Sequence, residues 1–162
     1  MQIEITLTAP EASDYSARDL GFLLHKHPDH LHIRETGQGK VSILFPEVSD
    51  TQTRAVLHLE VDPVALVRGK GDGGGLLTQY VNDRPFVANS MLSVAMGRAI
   101  GQTLSGKSKE KQALADRALP YVIRIVPVAV SGGLEVIEAL FQPLGYKIEA
   151  EALTDADPVS YT

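Results

Sequence analysis

Two stretches of this sequence match, letter for letter, patterns that hold phosphate or metal in other proteins. Gly101 to Ser108 reads GQTLSGKS and satisfies G-x-x-x-x-G-K-[ST] in full. In a working loop of that kind, backbone N–H groups wrap a phosphate, the Lys107 position reaches the terminal phosphates, and the Ser108 hydroxyl ligates magnesium. That chemistry needs a strand before the loop and a helix after it. Here the residues before Gly101 carry a helical pattern that includes Gly101, and no hydrophobic strand ending in Asp follows to hold the metal. A helix C-terminus followed by a basic turn fits better, with Lys107 and Lys109 beside the negative end of the helix dipole. The second match is His25, His27, Asp29 and His30, which spell H-x-H-x-D-H. Imidazoles and a carboxylate at that spacing can hold a zinc pair and activate water. Such a site takes further His and Asp ligands downstream, and the last histidine, His58, alternates within a strand pattern. Polar residues on a helix end and its loop account for the cluster.

Other catalytic constellations fail earlier. There is no G-x-S-x-G elbow, no G-x-G-x-x-G after a strand with a following acid, and no S-adenosylmethionine loop. Zero cysteines exclude disulfide frameworks and all thiolate chemistry, which fits a reducing, cytoplasmic compartment. No apolar run approaches the roughly 20 residues that span a bilayer, so no membrane contact is expected. The net charge of −5 argues against unaided binding to nucleic acid. Charge is uneven, however: six basic residues against two acidic ones lie between Arg98 and Arg124. With 6% aromatics and no Trp, the stacking platforms of single-strand binders are nearly absent. This stretch therefore reads as a solvated face or a protein contact.

The elements that must position these residues follow from periodicity. Gln2 to Thr8 alternates Ile3, Ile5 and Leu7 against polar neighbours, the signature of a half-buried strand. A short helix is expected from Asp19 as N-cap, stopped before Pro28. His30 to Glu35 and Val41 to Phe45, joined through Gly37 and Gly39, read as a hairpin, and Thr53 to Val61 repeats the strand signal. Gly69 to Gly75, GKGDGGG, reads as a loop. The longest helix is expected from a cap at Asn89 or Ser90 to Leu104, stopped by Gly106. Gly97 and Gly101 on it would permit close packing. A second helix, Lys109 to Ala118, precedes a β-branched run from Tyr121 to Val130 that reads as a buried or central strand with Pro127 at its end. A final helix capped by Ser131 carries Leu134, Ile137, Leu140 and Phe141. Tyr146 to Leu153 alternates as a terminal strand, with Glu149 and Glu151 on its outer face, and the tail after Thr154 is polar. The simplest architecture is α+β: one domain over residues 1–153, a mostly antiparallel sheet with helices packed on one face.

Several blocks are more particular than either motif: DLGFLLHKHPD (19–29), LEVDPVALVRG (59–69), QYVNDRPFVANSMLSVAMG (79–97), SGKSKE (105–110) and LFQPLGYKIEAE (140–151). In this order they resemble the N-terminal half of the bacterial 3′-terminal RNA ribose 2′-O-methyltransferases, over nearly the whole chain. The resemblance implies that this part binds a polynucleotide kinase-phosphatase-ligase and switches on its ligase, meeting RNA indirectly through that complex. It places the S-adenosylmethionine-dependent, metal-assisted methyltransferase in another part of the family's chain, so no cofactor or metal is expected here. Relatives read SGRSKE at 105–110, which tells against a P-loop. The family's N-terminal half is longer than this chain. The rival readings are a nucleotide- or phosphate-binding enzyme built on GQTLSGKS and an RNA-end-binding domain.

Loops on a rigid scaffold carry function more often than core strands do. The most particular loops here each set charge at a backbone bend. They offer Lys26 and His27, with Asp29, around Pro28; Asp83 and Arg84 beside Pro85; and Lys107 and Lys109 after Gly106. These are the candidate contacts for the ligase, although Asp83 and Arg84 are also placed to cap and brace the long helix.

Overall fold

The computed structural model describes residues 1–36, 39–62 and 87–152. Five strands, β1 (Gln2–Thr8), β2 (His32–Thr36), β3 (Gly39–Val48), β4 (Gln52–Val61) and β5 (Tyr121–Val126), form an antiparallel sheet in the order β2-β3-β4-β1-β5. The helices are α1 (Leu20–Leu24), α2 (Val87–Leu104), α3 (Gln112–Ala115) and α4 (Leu134–Phe141). This is the expected α+β class.

Register explains where the core sits. Directly opposed residues of an antiparallel pair share a face. Ile3 stands opposite Leu57 and Ile5 opposite Ala55 across β1 and β4, while Val41 opposes Leu59 and Ile43 opposes Leu57 across β3 and β4. The period-two pattern thus assembles one apolar face. Leu20, Leu23 and Leu24 of α1 and Met91, Leu92, Ala95 and Ile100 of α2 join it in a single buried cluster. The opposite face is polar around Glu4, which lies 3.9 Å from Arg54 and 3.6 Å from Arg124.

Several boundaries depart from the sequence expectation, each for a local reason. Asp19 does precede α1 in the cap position, but its backbone is helical and its side chain makes no cap bond to α1; the capping bonds lie at Ser16, whose hydroxyl accepts from the Arg18 N–H while the Asp19 carboxylate accepts from the Ser16 N–H. This capping box opens a 3-10 turn, Ala17–Asp19, that runs directly into α1. Helix α2 begins at Val87, so Asn89 is no cap. Its amide instead donates to the Ala129 carbonyl at 2.7 Å and accepts from the Ala129 N–H.

The helix breaks at Ile100 (φ −133°, ψ 28°), and its last turn leaves Leu104 54% exposed. Gly97 and Gly101 show no close packing among the described residues, since an added methyl at either would meet nothing there within 4 Å. Gly106 does adopt the left-handed stop. Helix α3 is a single turn, Gln112–Ala115, and the residues before it form a bend in which the Ser108 N–H donates to Gln112 Oε1 and Ser108 Oγ accepts from the Lys111 N–H.

The run from Tyr121 forms an edge strand, not a buried or central one, and ends at Val126. Gly133, not Ser131, caps α4. Residues 146–152 form no strand, and Glu149 pairs with Lys147 at 2.8 Å. The expected turn at Gly37, the glycine-rich 69–75 loop and the polar tail lie outside the described residues.

Candidate functional site

LLHKHPD and SGKSKE are far apart in sequence, and the fold joins them at the C-terminal end of α1. The backbone of His25 turns left-handed there (φ 55°), and its ring Nε2 lies 2.7 Å from the carbonyl oxygen of Lys107, 82 positions away. A carbonyl can only accept, so Nε2 carries the proton. Thr103 Oγ1 donates to the Leu23 carbonyl at 2.8 Å, and Ser108 Oγ donates to the Phe22 carbonyl at 3.4 Å. Carbonyls that every helix end exposes are thereby taken up by the last turn of α2 and by the second loop. That loop is itself braced. Ser108 N–H donates to Gln112 Oε1, Ser108 Oγ accepts from the Lys111 N–H, and Gln112 Nε2 donates to the Gly106 carbonyl. Lys111 then reaches Asp19 at 3.2 Å and lies over the Phe22 ring.

This bracing explains both motif matches. Ser108 is buried, and its hydroxyl is spent between Phe22 and Lys111 instead of facing a cleft. Gly101 lies within α2, so the residues before the turn are helix where a phosphate cradle needs a strand. The histidines are tied to backbone: His25 to Lys107, His27 Nδ1 to the Asp29 N–H, and His32 Nε2 to the His27 carbonyl. His27 and His30 stack at a tilt, 4.8 Å between ring centres. Among the described residues no group of three or more His, Asp or Glu side chains is placed to hold a metal ion.

Cations gather at the junction, with Asp29 and Glu110 on the same two loops. Lys107 and Lys109 are exposed on the turn, and His27 is exposed on the facing loop. Lys26 is half-buried; burial lowers its amine's pKa, and the neighbouring Arg34 cation lowers it further. Arg34, from β2, donates to the Arg98 carbonyl of α2 at 2.8 Å. No ion pair joins Lys26, Arg34, Lys107 or Lys109 to a carboxylate among the described residues. Asp83 and Arg84 lie outside the described residues. Sequence reasoning missed Arg34. It sits in an ordinary strand pattern, and nothing short-range announces its approach to Lys26 and to the Arg98 carbonyl.

The basic stretch from Arg98 to Arg124 is not one face. Lys111, Arg117 and Arg124 are bound to Asp19, Asp14 and Glu4, which leaves Arg98, Lys107 and Lys109 on the junction side. The Arg117 guanidinium, 2.8 Å from Asp14, holds that carboxyl below the usual carboxylate range. A depressed folded-state value stabilises above the unfolded pKa and is lost as pH falls through the folded one. Arg117→Ala is expected to return the Asp14 titration midpoint upward in an NMR pH series; an unmoved midpoint would contradict the bridge.

A family model described as the RNA repair, ligase-Pnkp-associating, region of Hen1 (Hen1_L) matches residues 1–160. The chain belongs to this family. Comparison with curated proteins returned no match. The membership bears out the resemblance drawn from the sequence blocks, and the matched span includes both loops of the junction. The family is described by association. Among the described residues no helix is long and apolar enough to cross a membrane.

Proposed function

We propose that this chain docks on the ligase of a polynucleotide kinase-phosphatase-ligase and switches that ligase on, with the junction at the end of α1 as its electrostatic contact. The observation that carries this reading is the group of cations Lys26, Arg34, Lys107 and Lys109, which form no ion pair among the described residues and are held on braced turns and the edge strand β2, in a chain of a ligase-associating family. Cations gathered together repel one another, and an acidic partner surface relieves that cost while steering the encounter. His27 offers a further polar contact beside them, and Asp83 and Arg84 are proposed as further contacts from the sequence alone. A guanidinium presents a planar fork of donors, so Arg84 is the anchor expected to matter most.

In this reading the chain performs no catalysis and holds no cofactor. Methyl transfer, S-adenosylmethionine and a divalent metal belong to the rest of a full-length bacterial, cytoplasmic protein, and RNA meets this chain through the complex. The test is affinity for the purified partner, and its ligase adenylylation, with Arg84→Ala, Lys26→Ala and Lys107→Ala, each checked by thermal melting. Arg84→Ala is expected to cost about 2 kcal/mol of binding. The lysine variants should slow association, most visibly at low salt. Full affinity in all three with unchanged melting would place the contact elsewhere.

A further inference from the structure

The sheet's core face does not end where its helical cover ends. Ile123 stands opposite Ile5, and Ile125 opposite Ile3, so both lie on the face that α1 and α2 bury. Yet Ile123 is 52% and Ile125 44% exposed, whereas Ile3 is 4%. Beyond β5 the chain is pinned to α2 through Asn89 and Ala129, then enters α4. Leu134, Ile137, Leu140 and Phe141 give α4 an apolar stripe at helical spacing, but none of its residues is buried. A helix of 8 residues gains little from its own backbone and needs that stripe covered.

Of the 16 large apolar side chains exposed in the described residues, 11 fall between Tyr121 and Tyr146. Val122 stands opposite Thr6 and faces the other side of the sheet; the other ten expose on the order of 900 Å², close to the ~800 Å² each partner gives to a standard interface.

We infer that the core-side face of β5 together with α4 is the apolar centre of the docking surface for the ligase-bearing partner, which meets it with an apolar surface of its own. This rests on the ligase-docking reading above. Three observations favour this occupant. The ligase-associating family match spans these residues. The exposed area suits one side of a stable heteromeric interface. The patch also lies at the opposite sheet edge from the cationic junction, as α2 shows by meeting Ala129 through Asn89 and Arg34 through Arg98. Four strand spacings, roughly 20 Å, separate the two edges. One partner can therefore cover an apolar centre and a charged rim, the usual anatomy of an interface.

The experiment measures affinity of the chain for the purified kinase-phosphatase-ligase, and the chain's own mass in solution by light scattering. It compares wild type with Ile123→Thr and with Leu140→Ser. Both side chains are more than half exposed, so melting should hold steady, and thermal melting checks this. A loss of binding of tenfold or more in both variants, from a monomeric wild type, is the result expected. Wild-type affinity in both variants overturns this inference alone and leaves the junction as the contact. A wild-type chain that self-associates, is dispersed by the same substitutions and keeps its ligase affinity overturns it in favour of a second copy as the occupant. Absence of any binding by wild type overturns the ligase reading and this inference with it.

Discussion

Replacing Leu20 with alanine is expected to destabilise the chain by about 2–5 kcal/mol, the range for truncating a fully buried leucine. Leu20 opens α1, is 0% exposed, and packs into the cluster that joins β1, β3 and β4 to α2. The cavity would lie directly beneath the helix whose C-terminal carbonyls receive Thr103 and Ser108. Loosening α1 should therefore also untie the junction, so ligase affinity is expected to fall along with stability. Phe22, on the same helix but 42% exposed, is the control, and Phe22→Ala should cost much less. Urea unfolding decides the matter. A Leu20→Ala loss below about 1 kcal/mol would mean that α1 is not anchored through this side chain.

The second large effect is expected at Gly39, where β3 begins. Its φ of +147° lies where side-chain-bearing residues rarely go, and a methyl there would collide with the Glu60 carbonyl oxygen and press against the Val61 Cα at 2.9 Å. All of these neighbours are backbone, so no side chain can swing aside. Gly39→Ala should cost about 3 kcal/mol or more, combining conformational strain with displacement of the β3–β4 ladder. Thermal melting and amide exchange across β3 and β4 are the readouts. A melting point within about 1 °C of wild type would contradict the geometry, since 1 kcal/mol moves a chain of this size by several degrees.

Much of the sheet was legible before any coordinates. Ile3, Ile5 and Leu7 alternate cleanly, and β1 falls at the expected Gln2 to Thr8. Where a strand has one buried face, period two fixes both its bounds and its orientation. The run from Tyr121 was misread because continuous apolar residues report what a strand could bury, not whether anything covers it. The capping box at Ser16 was present in the letters as Ser-x-x-Asp, but Asp19 drew the cap assignment because the leucines begin immediately after it. The terminal strand failed because residues 146–152 find no neighbouring strand to pair with among the described residues.

The site divides in the same way. Charge at Lys26, His27, Lys107 and Lys109 could be seen in the sequence, but their convergence could not. Contact between His25 and Lys107 depends on the break of α2 at Ile100 and on the left-handed turn at His25, which no short-range pattern announces. Arg34 joins through tertiary contacts, its guanidinium reaching the Arg98 carbonyl 64 positions away.

The most direct test of the central claim is the rate at which the purified kinase-phosphatase-ligase adenylylates itself, followed as the wild-type chain is titrated in. The account predicts a saturable rise whose midpoint matches the measured affinity and moves to higher concentration with Arg84→Ala. An adenylylation rate that stays flat up to saturating concentrations of a folded chain would contradict it.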